Sequence, residues 1–302
     1  MERFRNGDRV CFVGDSLVAH NQYLPRIIDH YKKHFPNEKI RFFNCGTSGG
    51  TCKGAMEFFE DDVIIHNPTH VVLAFGINDS GRDMLINPRS TSRLDRLVSN
   101  FETYKKSIRE YTELVRSRGI KLIVCTPAPY DEYTPGDNPG YMGGFALMLG
   151  YADFIRAFAK EIGAELYDNH AYLSYWIETD CEQVYSPDRV HPNPHGYYLI
   201  AKGFLQNQGL IIDEEAEIPT YLDEWRDLVA RLRVIYGAEH MIVKNYKQPT
   251  DEKIARLEKK IETENWGNPV LERFIRGFVA EKRNQDILYR MIDEVYERDV
   301  IG

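Results

Sequence analysis

Short apolar runs of strand length recur through the first two-thirds of the chain, and each is followed by a longer amphipathic stretch. The runs are Arg9–Gly14, Ile40–Cys45, His70–Phe75, Ile120–Cys125 and Ala164–Tyr167, most of them rich in Val, Ile or Phe. Helical periodicity occupies the intervals: Tyr23–His34, Lys53–Asp62, Arg93–Arg118, Tyr151–Glu161 and, last, Gly196–Gln206. Gly119 stands where the third of these needs a C-cap. A strand that returns to its sheet through a helix must pair in parallel, with helices covering both faces. The expected fold is α/β: a three-layer α/β/α, flavodoxin-like parallel sheet of about five strands.

Two regions break the alternation. Asp131–Gly144 holds Pro135, Gly136, Pro139, Gly140, Gly143 and Gly144, with Tyr133 and Tyr141 among them and Tyr130 just before. It reads as a long loop, equally suited to a substrate lid or to packing. From Ile218 onward the strand signal vanishes, and helical patterns follow at Tyr221–Tyr236, Asp251–Glu264 and Pro269–Asp299. Thr250 can cap the second of these, whose stripe is Ile254, Leu257 and Ile261. The third carries Leu271, Phe274, Ile275 and Phe278, then Ile287, Leu288, Met291, Ile292 and Val295. The stripes are too broken for a long coiled coil. The expected organisation is a sheet domain over residues 1–212 and a helical extension over 213–302. That extension would pack on the sheet domain or form a homodimer through its helices.

A net charge of −8 leaves no basic footprint for nucleic acid or an anionic membrane. No apolar run approaches the length of a bilayer span, and the start Met-Glu-Arg-Phe-Arg-Asn-Gly-Asp has no apolar signal core. The expected location, absent a removed leader, is the cytoplasm. Cys11, Cys45, Cys52, Cys125 and Cys181 are odd in number and form no C-x-x-C pair, so neither a disulfide framework nor a zinc site is expected.

The chemistry-bearing residues gather at strand ends. The first run closes on Gly14-Asp15-Ser16, the second on Asn44-Cys45-Gly46-Thr47-Ser48-Gly49-Gly50-Thr51, and the third on Gly76-Ile77-Asn78-Asp79. Ligands of open α/β sheets bind beyond the carboxyl ends of the strands, so these segments can converge on one pocket. A fourth segment, Asp188-Arg189-Val190-His191-Pro192, precedes the last helix. A serine hydroxyl becomes a useful nucleophile only when a base takes its proton. His191 can be that base, and Asp188 can orient its ring. The N–H groups of Ser16 and Gly49 and the amide of Asn78 can meet the charge of a tetrahedral intermediate. Ser16 also stands where a helix should begin, which favours negative charge nearby.

These four segments, in this order across roughly Arg9 to Phe204, resemble the SGNH, or GDSL-type, hydrolase family. The resemblance implies Ser16 as nucleophile, Asp188 and His191 as acid and base of the triad, and Ser16, Gly49 and Asn78 as the oxyanion hole. It implies a serine esterase that acts on a small-molecule ester through an acyl-Ser16 intermediate, with no cofactor and no metal. A short acyl group, with a carbohydrate as the alcohol half, is the substrate expectation. A lipase or thioesterase of the same fold, or a binding module on a hydrolase scaffold, is the alternative. The extension has no counterpart in the minimal family core.

Rival readings exist in the same sequence. Gly46-Thr47-Ser48-Gly49-Gly50 matches the nucleophile-elbow pattern, although that elbow normally follows several earlier strands. His66 and His70, and His191 and His195, are four apart, but Pro68 and the Pro192/Pro194 pair interrupt any helix that would align them for a metal. Asp15 and Asp79 are expected to bond nearby backbone N–H groups. The Gly-rich second segment lacks the ending of a P-loop, so nucleotide binding is not expected.

Overall fold

The structure is a computed structural model of the chain. It describes residues 1–81, 91–137, 140–212, 217–246 and 279–302, with residues 255, 259 and 276 singly. Two compact units divide it, Met1–Ile218 and Pro219–Gly302.

Five strands form the sheet of the first unit: β1 (Arg9–Gly14), β2 (Arg41–Gly46), β3 (His70–Ala74), β4 (Lys121–Cys125) and β5 (Glu165–Tyr167). All pair in parallel, in the order β2-β1-β3-β4-β5, the doubly wound, flavodoxin-like order. In the interior strand β1 the run from Val10 to Val13 is at most 1% exposed, because helices cover both faces. Burying each such side chain stabilises the fold by about 1.5–3 kcal/mol.

The helices of this unit are α1 (Ser16–Ala19), α2 (Leu24–His34), α3 (Cys52–Ala55), α4 (Thr91–Ser117), α5 (Gly144–Ile162), α6 (Asn169–Thr179) and α7 (Pro194–Asn207). Three differences from the sequence pattern have local causes. The expected helix Lys53–Asp62 is only α3, after which the winding changes through 3-10 and π turns to His66. Its inward residues Phe59, Asp62, Val63 and His66 keep one face throughout. Helix α5 begins seven residues before the expected Tyr151. The Glu132 carboxylate accepts the N–H groups of Gly143 (3.3 Å) and Phe145 (2.8 Å), giving the first turn its acceptors despite the glycines there. Tyr130 packs against Gly144 so tightly that a Cβ there would lie 2.3 Å from its ring. The described part of the Tyr-rich segment is therefore packed against its own neighbours. Helix α6 was not anticipated, although Asp168 followed by Ala171, Leu173 and Ile177 is a cap and a stripe.

Asp168 does more than cap. Its carboxylate accepts Ala171 N–H (3.1 Å), Thr126 Oγ1–H (3.0 Å) and two Arg156 N–H groups (2.7 and 2.9 Å). Burial pushes its pKa up, but the Arg156 bonds and the cap outweigh that and hold it below the ordinary carboxylate value. Asp168→Ala is expected to cost about 2 kcal/mol, from a lost cap and a lost charged hydrogen bond, read as a fall in Tm. A group lowered on folding stabilises fully above its unfolded pKa and stops doing so as pH falls through the folded one. The Tm gap to wild type should therefore persist at neutral pH and close below about pH 4.

In the second unit α8 (Asp223–Tyr246) runs ten residues past the expected end at Tyr236, through Gly237. It packs on α9 (Gln285–Tyr296) through buried Leu288, Ile292 and Val295 and the Trp225–Tyr296 ring pair. Tyr236 Oη meets Tyr289 Oη at 2.7 Å and accepts from Gln285 Nε2 at 2.9 Å. The cap at Thr250, the pattern Asp251–Glu264 and the stripe from Leu271 to Phe278 lie outside the described residues. Among the described residues no helix is long and apolar enough to cross a membrane.

Candidate active site

The loops after β1, β2 and β3 and the segment before α7 meet at the carboxyl edge of the sheet. Asp15 caps the single turn α1, its Oδ1 accepting Leu17 N–H at 3.0 Å, and Ser16 is the first residue of that turn. One turn sums few peptide dipoles, so the favourable helix end expected at Ser16 is weak. Asn44 ties β2 to this turn, donating to Val18 O (2.7 Å) and Asn21 Oδ1 (3.1 Å) while accepting Gly46 N–H (3.0 Å). At Gly46 the two backbones nearly touch, since a Cβ would sit 2.3 Å from Ala19 N. Only glycine permits that approach. Asp79 joins the third segment to the second by accepting Cys52 N–H at 2.9 Å, while Asn78 Nδ2 donates to Gly50 O at 3.0 Å. Asp15 thus bonds a neighbour as expected, whereas Asp79 reaches a partner 27 residues away.

Ser16 Oγ lies 2.8 Å from His191 Nε2, and His191 Nδ1 lies 2.6 Å from Asp188 Oδ2. The other carboxylate oxygen, Oδ1, accepts the N–H groups of His191 (2.7 Å) and Val190 (3.0 Å). Burial pushes Asp188 up, but the His191 ring and these two N–H groups prevail, and its pKa falls below the ordinary value. At neutral pH the carboxylate is ionised and can only accept, so the Nδ1 nitrogen of His191 carries the proton. Nε2 is then free to accept from the serine hydroxyl.

Gly49, in the loop after β2, has φ of +72°, a left-handed conformation that glycine adopts without strain. Among the described residues no acceptor meets the N–H of Gly49 or of Ser16. Asn78 spends one amide hydrogen on Gly50 and keeps the other. Ser48 is exposed in the same turn, and the hydrogen bonds of the His191 ring go to Ser16 and Asp188.

The pattern of the sequence assigns the remaining histidines no role, yet His20 stands against His191, with ring centroids 4.9 Å apart and tilted by 34°. Its Nδ1 is 3.0 Å from Tyr197 Oη. Desolvation and then the neighbouring His191 lower its pKa, so it stays neutral. The one available signal was its place four residues after Ser16, which says little without the tertiary contact.

His191 and Asp188 side chains are 33% and 43% exposed, so the site opens to solvent. A mostly apolar cavity of about 580 Å³, open mouth included, lies beside it, lined by Asp15, Leu17, Phe75, Pro127 and Val190 among others. Ser16, His191, Gly49 and Asn78 are outside that lining. A separate buried group, Cys45, Asp62 and His66, brings three donor atoms within 4.8 Å of one another. Its thiol donates to Asp62 O at 3.0 Å and its imidazole stacks on Phe43 at 4.1 Å. None of the three belongs to the Ser16–His191–Asp188 chain.

Comparisons with known proteins bear on the fold and the family. An acetylxylan esterase of Geobacillus stearothermophilus is 25% identical over 221 residues, which is 68% of this chain and 95% of that one. A solved structure of an acetylxylan esterase from the same organism covers 68% of this chain and 96% of its own, at 22% identity and a TM-score of 0.57. A gut microbial diltiazem-metabolizing enzyme, BT4096, shares the fold over 99% of this chain and 97% of its own, at 17% identity and a TM-score of 0.72. That match covers 99% of the chain, against 68% for the acetylxylan esterase structure. Residues 12–199 match the GDSL-like Lipase/Acylhydrolase family, well over half of the chain. The chain belongs to that GDSL-like, SGNH-type family and is an ester-hydrolysing enzyme.

Proposed function

We propose that Ser16 is the nucleophile of an esterase that removes short acyl groups, acetyl foremost, from a carbohydrate. One observation carries the reading: the unbroken hydrogen-bonded chain from Ser16 Oγ through His191 to Asp188, at 2.8 and 2.6 Å. The 25% identity with an acetylxylan esterase, over almost all of that enzyme, supports the substrate class. So do the partly exposed His191 and Asp188 side chains, which leave room at the base for a bulky, hydrated alcohol half.

The mechanism follows from the geometry. His191 Nε2 takes the Ser16 proton as Oγ attacks the acyl carbon, and Asp188 stabilises the imidazolium that forms. The carbonyl oxygen becomes an oxyanion facing three donors, the N–H groups of Ser16 and Gly49 and the free Asn78 amide hydrogen. One such donor is worth about 3–4 kcal/mol of transition-state stabilisation. Collapse expels the alcohol, which takes the proton from His191 and leaves the acyl group on Ser16. Water, deprotonated by the same nitrogen, attacks the acyl-enzyme; Ser16 Oγ leaves with that proton from His191 and the acid is released.

The test is acetate release from acetylated xylo-oligosaccharides, compared with hydrolysis of 4-nitrophenyl acetate and a long-chain 4-nitrophenyl ester. Acetate release at a kcat/KM matching or exceeding that for 4-nitrophenyl acetate is expected, with the long-chain ester slower by at least tenfold. A preference for the long-chain ester would overturn the substrate assignment and leave a lipase.

A further inference from the structure

One of the two residues between the acid and the base of the proposed triad has an unusual backbone. Arg189 has φ of +77°, a conformation that few non-glycine residues adopt and that persists only where surrounding contacts enforce it. The contacts come from a segment more than fifty residues upstream. Arg189 O accepts Asp131 N–H at 3.1 Å, and Pro187 O accepts Asp137 N–H at 2.7 Å. The guanidinium closes the ring from the other side: Arg189 Nη1 donates to Asp131 O (3.4 Å) and to Thr134 O. The upstream backbone lies flat against it, since a Cβ on Gly136 would come within 2.8 Å of Pro187 O and 2.9 Å of Arg189 Cζ. The upstream turn is itself held from within. The Asp131 carboxylate, fully buried, accepts Thr134 N–H at 3.1 Å and Thr134 Oγ1–H at 2.5 Å.

We infer that Arg189 is a positioning residue: it pins the 131–137 turn beneath the Asp188–His191 turn, and this brace keeps the carboxylate in register with the imidazole. The inference rests on the triad roles proposed above. It gives the Tyr-rich segment a function other than a lid, because its first half is hydrogen-bonded to the segment carrying the base. The short reach of Asp188 makes the register demanding. Its two oxygens serve three donors within one turn, His191 Nδ1–H, His191 N–H and Val190 N–H, so a small rotation of the peptide at Arg189 breaks several bonds together. The side chain of Arg189 points away from this set, toward the carbonyls of Asp131 and Thr134. It therefore acts on the reaction only through the backbone.

The test compares Arg189→Ala, Arg189→Lys and Arg189→Gly in the full-length enzyme on 4-nitrophenyl acetate, with labelling by a serine-reactive phosphonate as a second readout. Arg189→Ala should lower kcat by about 10- to 100-fold with KM within about twofold, and slow phosphonate labelling in proportion. Arg189→Lys, which keeps a cationic donor group on a shorter side chain, should recover part of the rate. Arg189→Gly relieves the backbone conformation but supplies no guanidinium, so it should be as slow as Arg189→Ala. Wild-type kcat in a folded Arg189→Ala or Arg189→Gly enzyme would overturn the brace. A lid would instead show as a KM change with kcat retained, and that too would overturn it. Should Arg189→Ala not fold, Asp131→Ala removes both acceptors of Thr134 and loosens the upstream turn without altering the side chains of residues 186–191, and a smaller loss in kcat alone is expected; an unchanged kcat there would count against the brace. Ser16→Ala run beside them separates the two levels: a fully active Ser16→Ala enzyme removes the triad reading itself, whatever Arg189 does.

Discussion

Ser16→Ala should lower kcat on 4-nitrophenyl acetate by roughly 10⁴-fold or more, with KM changed only a few-fold. The size follows from the role. Without Oγ there is no acyl-enzyme, and what remains is the oxyanion site acting on direct attack by water. Folding should be unaffected: among the described residues Ser16 Oγ bonds His191 Nε2 alone, and the α1 turn is capped by Asp15. Ser48→Ala is the informative companion, because Gly46-Thr47-Ser48-Gly49-Gly50 carries the rival nucleophile pattern. Ser48 is exposed, and the histidine base is bonded elsewhere, so the Ser48→Ala enzyme should keep most of its activity. The reverse result, with Ser48→Ala dead and Ser16→Ala active, would move the chemistry to the second loop.

Asp188→Asn should cost about 10⁴ in kcat with little effect on KM or Tm. The argument turns on which oxygen does what. Oδ1 accepts two backbone N–H groups, from His191 and Val190, so an amide at this position must keep its oxygen there. Its NH₂ then faces His191 Nδ1, where Oδ2 now sits at 2.6 Å. A donor facing Nδ1 drives the ring proton to Nε2, the nitrogen that must accept from Ser16. The geometry survives and the tautomer is wrong. A loss of less than tenfold would mean that His191 needs no orienting partner, and would remove Asp188 from the mechanism. Phosphonate labelling should fall in parallel with kcat, since it depends on the same activated hydroxyl.

Much of this site was legible in sequence because its parts sit at strand ends. Gly14-Asp15-Ser16, Asn44 to Thr51 and Gly76 to Asp79 each follow an apolar run, and a parallel sheet must bring such ends to one edge. Asp188 and His191 were legible as types, an acid and a base three residues apart. Other contributors were not. Asn44 belongs to the recognisable second segment, but its work is structural, holding Val18 and Asn21, and no spacing reveals that. His20 meets His191 across 171 positions of sequence, and Arg189 meets Asp131 across 58. Helix α5 starts earlier than its sequence pattern, because the glycines at its N-terminus carry a strong loop signal and the Glu132 carboxylate that supplies the missing acceptors lies in the preceding loop.

The division has a physical basis. Alternating apolar runs and amphipathic stretches determine a parallel, doubly wound sheet from sequence alone, because hydrophobic periodicity is local and the crossover rule leaves few topologies. The residue types needed for acyl transfer are legible in the four segments that resemble the GDSL-type family. Which serine stands 2.8 Å from His191 was decided only by the tertiary structure, through the close approach of β2 to α1 at Gly46 and the fold-back of Asp188–His191 over the end of β1. So was the bracing of that turn by the 131–137 segment. Hydrogen-bond geometry is sensitive to tenths of an ångström, and distances of that kind between residues more than a hundred positions apart are set by packing rather than by local pattern.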